Sequence, residues 1–489
     1  MTSVAPTLAA PGSFRRPVPA GAVVTCALLG SWAYTGDWLV AYSLAALLVA
    51  WWLLKDGPGT PVLAVAWTYQ WAQVSAGLLY MAFTGDVLDS AVDSDWRPMV
   101  ELSLTAILAL ALGMHFGMRG VRAAEGARES ALSWRQLIIV YVLATALAAI
   151  FLELTMNFSA FGGLYQGAVF LAYGRLAVLY LLFRRLLRPK LRFGWFLFVL
   201  ALEISLGLAS YFASFREVIV IAALALIEAF DRKRPTHWLL ALSLAASLAV
   251  TSLVWTGIKS QFREAQDDDA VLAASREDKV SLVQQLALEW FDRGAPAVQA
   301  SMRKTVDRVW QVYYPSFVLK RVPREVAHTG GTFLVNAVLH VITPRFFFSD
   351  KAGLLSDSDK VRRYAGLNVA GAERNTSIAF GYVAESYVDF GMPLLLLPIG
   401  MLGLLVGWLF KRAWRLFVHV DIATGATAIS FWLAIYLYER SWDRTLGVGL
   451  TTMLFIGAAA IALDRVLVEL HALERRSAPL PRVVTPRAP

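Results

Sequence analysis

Cysteine is almost missing from this chain. Cys26 is the only one in 489 residues, so no intramolecular disulfide can form and no cysteine-based metal site can be built. Charge is scarce too. Asp, Glu, Lys and Arg make up 17% of the residues, against roughly 25% in soluble domains. The six histidines are scattered, which argues against a His-rich metal site. There is no P-loop, no zinc-protease helix motif and no dinucleotide fingerprint after a strand. Nor does the start of the chain read as a cleavable leader. Residues 1–19 are proline-rich, and the first apolar run lacks an evident cleavage site. These gaps exclude an ordinary soluble enzyme, a disulfide-stapled secreted domain and a disordered chain.

The chain is rich in apolar residues, 57% of the total. They fall in blocks of about 17–25 residues, the helix length that crosses roughly 30 Å of hydrocarbon. The blocks predict an all-α, polytopic integral membrane protein with about twelve transmembrane helices. The spans are read at 20–36, 38–54, 61–83, 98–118, 136–153, 163–183, 193–211, 215–230, 236–256, 391–410, 417–437 and 445–463. This gives five regions: a tail at 1–19, nine helices over 20–256, a large loop over 257–390, three helices over 391–463, and a tail at 464–489.

The loop charges set an orientation. Arg119, Arg122, Arg128 and Arg135 follow the fourth span, and Arg184, Arg185, Arg188, Lys190 and Arg192 follow the sixth. Lys411, Arg412 and Arg415 follow the tenth. The alternate loops lack this excess. Residues 84–97 hold Asp86, Asp89, Asp93 and Asp95 against Arg97. By the positive-inside rule both termini are cytoplasmic, and the net charge of +9 is mostly anchoring charge. Nucleic acid is not an expected partner; membrane lipids are. No hydropathy repeat links the halves, which argues against many secondary transporters.

The large loop is not a plain linker. Val298, Met302, Val309, Tyr313 and Phe317 recur at helical spacing, as in helices lying along a membrane surface. Residues 333–342 are apolar but too short to span, which suggests a re-entrant or interfacial segment. Asp267-Asp268-Asp269 reads as a solvated charge run. Gly403 and Gly407 form a GxxxG pair suited to close helix packing.

Three outward-facing constellations carry candidate chemistry. Arg216 and Glu217 stand at the mouth of the eighth span. Thr343-Pro344-Arg345-Phe346-Phe347-Phe348-Ser349-Asp350-Lys351 combines a helix break, three aromatics and two cations. Arginine forks bind phosphate oxygens bidentately. The third runs from Arg374 to Gly391. Asn375 or Thr376 can cap a helix there. Ser377, Gly381, Glu385 and Asp389 then share one polar face, with a small residue where a ligand could approach. Inside the membrane, Arg175 and Glu203 fall at similar depth in a helical hairpin, and a structural ion pair is expected between them. Gln70, Gln73 and His115 read as interhelical hydrogen-bonding groups.

Two of these stretches resemble the bacterial oligosaccharide repeat-unit polymerases, the O-antigen and exopolysaccharide polymerases. The resemblance lies in Pro344-Arg345-Phe346…Asp350-Lys351 and in Ser377…Gly381…Glu385-Ser386-Tyr387-Val388-Asp389-Phe390-Gly391. The Arg216 position resembles a further basic site of that family. The match covers about residues 205–400, and Lys351 lacks the flanking proline the family pattern carries. The resemblance implies a multi-pass glycosyltransferase of the bacterial plasma (inner) membrane, working on its outer face. Its substrate would be an oligosaccharide carried on undecaprenyl pyrophosphate. Flippase and chain-length-regulator proteins would be its partners. Arg216, Arg345, Lys351 and Arg374 would hold the pyrophosphate. Glu385 would deprotonate the acceptor hydroxyl, with Asp389 and Glu217 as alternates, and Ser377 and Tyr387 would contact the acceptor. No cofactor or metal is called for if arginines carry the charge. The competing expectations are an O-antigen-type ligase, a lipid-linked oligosaccharide flippase and a non-catalytic scaffold.

Overall fold

The computed structural model describes residues 34–55, 59–122, 132–158, 165–187, 192–209, 215–231, 233–266, 276–343, 354–371, 373 and 376–477, with Thr25, Gly30 and Trp32. Among them the chain is all-helical with no sheet. In hydrocarbon each backbone amide must find its partner within the protein, and a helix does this locally.

The N-terminal helices are α1 (Trp38–Leu54), α2 (Val62–Thr84), α3 (Asp89–Val92), α4 (Trp96–Met118), α5 (Trp134–Asn157), α6 (Tyr165–Leu186), α7 (Phe193–Ala209), α8 (Phe215–Ala229) and α9 (Pro235–Gln266). The middle stretch forms α10 (Arg276–Asp292), α11 (Ala295–Val309), α12 (Tyr313–Arg321), α13 (Thr332–Ile342), α14 (Asp357–Lys360) and α15 (Gly381–Phe390). Then come α16 (Leu396–Leu416), α17 (Val420–Ile435), the single turn α18 (Trp442–Arg444) and α19 (Thr451–Ser477). A π-helical turn, Thr445–Leu450, joins the last two.

Six of these helical stretches are long and apolar enough to cross a membrane: α4, α5, α6, α9, α16 and the run Trp442–Leu470. The chain therefore has the architecture of a multi-pass membrane protein. Shorter apolar helices accompany them, α1, α13 and α17 among these. The expected first span, 20–36, lies mostly outside the described residues. The expected ninth span continues past residue 256 to Gln266 as one helix.

The core sits around α17, where every residue from Asp421 to Ile435 is buried. Helix α5 shows the opposite pattern. Ile139, Val142, Leu143, Leu147 and Ile150 each expose about half their surface. A face this apolar and open suits lipid as its solvent. Helices α4 and α16 pack through two glycine pairs. A Cβ at Gly113 would strike the Gly400 carbonyl, and one at Gly117 the Leu404 carbonyl. A Cβ at Gly403 or Gly407 would strike the carbonyl of Leu110 or Met114. The GxxxG pair is thus one half of a mutual close approach.

The loops sort to two ends. At one, Lys411 Nζ donates to Arg119 O at 2.5 Å and Arg185 Nη2 to Leu132 O at 3.1 Å. At the other, Arg97 pairs with Asp37 at 2.8 Å and Arg303 with Asp89 at 2.6 Å. Between the ends, Arg175 Nη1 lies 2.6 Å from Glu203 Oε1. His115 Nδ1 lies 2.8 Å from Leu53 O.

Replacing Gly403 or Gly113 with valine should separate α4 from α16. Overpacking of this kind costs about 1–3 kcal/mol or more. Gly174→Ala is the control, since a Cβ there meets nothing within 4 Å. Thermal unfolding of the purified protein should show a lowered midpoint for the first two and an unchanged or raised midpoint for the third.

Candidate functional site

The third constellation folds differently from its expected form. Asn375 lies outside the described residues, and the helix does not begin there. It begins at Gly381, with Phe380 in the capping position. The reason is backbone crowding. Gly381 has a φ of +86°, and a Cβ on it would come within 2.6 Å of Tyr438 O. The space expected for a ligand beside Gly381 is filled by the chain after α17. Ser377 therefore precedes the helix instead of sharing its face.

Helix α15 is buried on almost every side. Glu385 is 1% exposed. Its Oε1 accepts from Lys360 Nζ at 2.7 Å, and its Oε2 accepts from the Trp442 backbone N–H at 2.6 Å. Trp442 Nε1 donates to Ser386 Oγ at 3.0 Å. Lys360 Nζ also donates to Asp443 Oδ1 at 3.0 Å and stands 3.8 Å from Asp357 Oδ1. Asp357 Oδ2 in turn meets Arg444 Nε at 2.9 Å and accepts from Ser377 Oγ at 3.1 Å. Arg444 Nη2 donates to the same Ser377 oxygen at 2.7 Å. Four separated stretches of chain thus meet in one polar cluster.

Three carboxylates face two cations here, so the fully ionised cluster would carry one excess negative charge. Burial pushes the Glu385 carboxyl up to about 7, against the pull of Lys360 and the Trp442 amide. For Lys360, burial alone disfavours the ammonium. The facing carboxylates of Glu385 and Asp443 outweigh it and hold its pKa above the ordinary value. The lysine stays charged, and Glu385 absorbs the excess by holding a proton part of the time.

Asp357, Glu385 and Asp443 offer oxygens within 4.8 Å of one another, a spacing a metal ion could use. The Lys360 ammonium stands among them and makes the contacts a cation would make.

Asp389 has a different employment. Its oxygens accept from Phe333 N at 3.0 Å and Leu334 N at 2.9 Å, and from Thr329 Oγ1. It therefore caps α13, whose own N-cap is Gly331 and has no side chain to do so. Tyr387 OH donates to Val322 O at 3.1 Å.

In front of the cluster lies a cleft of about 860 Å³. One wall is the junction of α11 and α12 with Asp89 and Ser90; the other is Leu437, Glu439, Arg440 and Arg444 with Ser377–Ala379. Arg308, Arg440 and Arg444 supply cations, and Trp310, Tyr313 and Tyr314 supply rings.

Of the sequence-predicted residues, Ser377 reaches this cleft and Glu385 lies behind it. Asp389 and Tyr387 sit elsewhere on α15, and Glu217 lies in the first turn of α8. The side chain of Arg216, and all of Arg345, Lys351, Arg374 and Asp267–Asp269, lie outside the described residues. Sequence reasoning missed Asp357, Lys360, Glu439, Arg440, Asp443 and Arg444. A signal was present: Glu439-Arg440-Ser441-Trp442-Asp443-Arg444 puts four charges between two apolar runs.

Lys360→Met should cost about 3–5 kcal/mol, because it strands buried carboxylates. Combining it with Glu385→Gln should cost less than the sum of the two by more than about 1 kcal/mol. A double-mutant cycle on unfolding midpoints measures this. Acidity gives a second check. The native carboxyl of Glu385 keeps a proton that the unfolded chain releases near 4.5. Its stabilisation is complete below that value and is lost as pH rises through about 7. The wild-type melting midpoint should fall over this window, and Glu385→Gln should flatten the fall.

No protein-family model, no curated protein and no solved structure matches this chain.

Proposed function

We propose that the chain is a twelve-span membrane glycosyltransferase with both termini cytoplasmic. It joins oligosaccharide repeat units, carried on undecaprenyl pyrophosphate, into a surface polysaccharide on the outer face of the plasma membrane. The observation that carries this reading is the cleft. It lies at the end of the bundle away from the basic loops and combines three guanidinium groups with aromatic rings and carboxylates.

The chemistry follows from these groups. The acceptor hydroxyl oxygen attacks the anomeric carbon of the growing chain. The bond from that carbon to the pyrophosphate oxygen breaks, and the electron pair leaves on the carrier. Arg440 and Arg444 stabilise that departing charge, the role the resemblance also assigns to Arg216, Arg345, Lys351 and Arg374. The acceptor proton passes to a carboxylate. Glu385 is fully buried with both oxygens engaged, so it serves as a positioning residue that fixes Trp442 and the neighbouring arginines. Glu439 lines the cleft and is the carboxylate that takes the proton. A flippase would draw on the midplane charges, but Arg175 and Glu203 neutralise each other there.

Purified protein should extend lipid-linked repeats. Arg444→Ala, Arg345→Ala and Glu439→Gln should each slow extension about 100-fold, the usual cost of one charge-stabilising donor or proton acceptor. Wild-type protein that leaves single repeats unextended would overturn the reading. Variants that let long carrier-linked chains accumulate in cells would point to a ligase instead.

A further inference from the structure

The two walls of the cleft differ in chemistry. The first, Asp307–Tyr314 with Asp89 and Ser90, is fixed to the bundle. Trp310 Nε1 donates to Val74 O at 2.8 Å, and Gln311 N donates to Gln73 O at 2.8 Å. The rings of Tyr313 and Tyr314 meet edge to face with centroids 5.1 Å apart, and both line the cleft. Ser90 Oγ donates to Asp307, and Arg303 pairs with Asp89 at 2.6 Å. The second wall holds Arg440, Arg444 and Glu439.

Across the whole lining, Arg308, Arg440 and Arg444 are matched by Asp89, Asp307 and Glu439. The net charge of the lining is zero. An anion is attracted on the side of Arg440 and Arg444; beside the tyrosines it meets Asp307 and Asp89 with Arg308 as the one lining cation, so that wall has no excess of positive charge. An uncharged polyol fits better. Its hydroxyls both donate and accept, so carboxylate, amide and guanidinium all serve as partners. Its C–H faces pack on tyrosine rings, and a few fixed polar groups around an apolar surface set its orientation.

We infer that the Asp307–Tyr314 wall binds an uncharged sugar. Resting on the polymerase reading, that sugar is the acceptor end of the lipid-linked repeat, while the pyrophosphate lies against Arg440 and Arg444. The site therefore discriminates against a uronate or phosphate-bearing sugar at the acceptor position.

The probe is a lipid-free single-repeat oligosaccharide, prepared from the surface polysaccharide of the producing cell. It is used with any uronates reduced to alcohols and again with carboxylates intact. Binding to the full chain in nanodiscs is followed by calorimetry. The uncharged fragment should bind at least about tenfold more tightly than its carboxylate counterpart. Tyr313→Ala should weaken it about tenfold, Asp307→Asn by several-fold, and Tyr313→Phe by less than about threefold. Inorganic pyrophosphate should bind Tyr313→Ala as it binds wild type.

A second measurement does not depend on how well Tyr313→Ala folds. With Cys26 replaced by serine, Gln311→Cys should react with maleimide, and the uncharged fragment should slow that reaction. Equal binding of charged and uncharged fragments would overturn the inference. So would unchanged binding in Tyr313→Ala and Asp307→Asn, or labelling that the fragment does not slow. Failure of the polymerase reading looks different. Fragments would then bind through Tyr313 while wild-type protein leaves lipid-linked repeats unextended. Conversely, extension with an unchanged acceptor KM in Tyr313→Ala would overturn the sugar site alone.

Discussion

The Lys360 ammonium, held between Glu385 and Asp443, is the contact on which the cleft end of this protein depends. A lone charge buried in protein at a membrane face is costly. Here the cost is met by geometry: 2.7 Å to Glu385, 3.0 Å to Asp443 and a further carboxylate at 3.8 Å. The pairing also has a topological effect. It joins the turn at α14, the helix α15 and the turn at α18, three stretches that are far apart in sequence. Arg444 begins where this cluster ends, so the cleft cation is placed by the buried lysine through Asp357.

A second constraint works from below. Helix α17 ends at Ile435, and its last carbonyls need donors. Gln70 Nε2 donates to Ile435 O, and Arg440 Nη1 donates to Leu433 O at 2.5 Å. Gln73 Oε1 accepts from Tyr438 N at 2.8 Å, while Tyr382 OH donates to Gln70 Oε1 at 2.7 Å. The backbone carbonyl of Gln73 also takes the N–H of Gln311 on the opposite wall. One turn of α2 therefore supports both sides of the cleft. Buried polar groups in a membrane bundle are expensive unless bonded, and the amide oxygens of both glutamines and Gln70 Nε2 are used to hold an irregular loop in register.

The parts legible in the sequence were those that depend on local pattern. Apolar block length gave α4, α5, α6 and α16, because a helix of that composition has no other way to satisfy its backbone. The Gly403–Gly407 spacing announced a close approach, but its partners Gly113 and Gly117 are nearly three hundred residues away and no local rule names them. Glu385 stood out as a carboxylate on a mostly apolar helix. Its partners did not, because Lys360 and Asp443 are distant in the chain and meet only in the fold. The stripe from Ser377 to Asp389 misled for the same reason. Spacing by four was extended through Gly381, where the passing Tyr438 backbone, absent from any periodicity argument, forces a positive φ and starts the helix anew.

The split of duties among the acids follows from these constraints. A carboxylate that shapes a site must be buried and fully bonded, as Glu385 and Asp389 are. A carboxylate proposed to exchange a proton with a substrate must face the cleft, as Glu439 does. The short acidic and basic run after α17 is therefore where the proposed chemistry resides. The buried cluster behind it holds Arg444 through Asp357 and Ser377, so that this cation would be oriented before a substrate arrives.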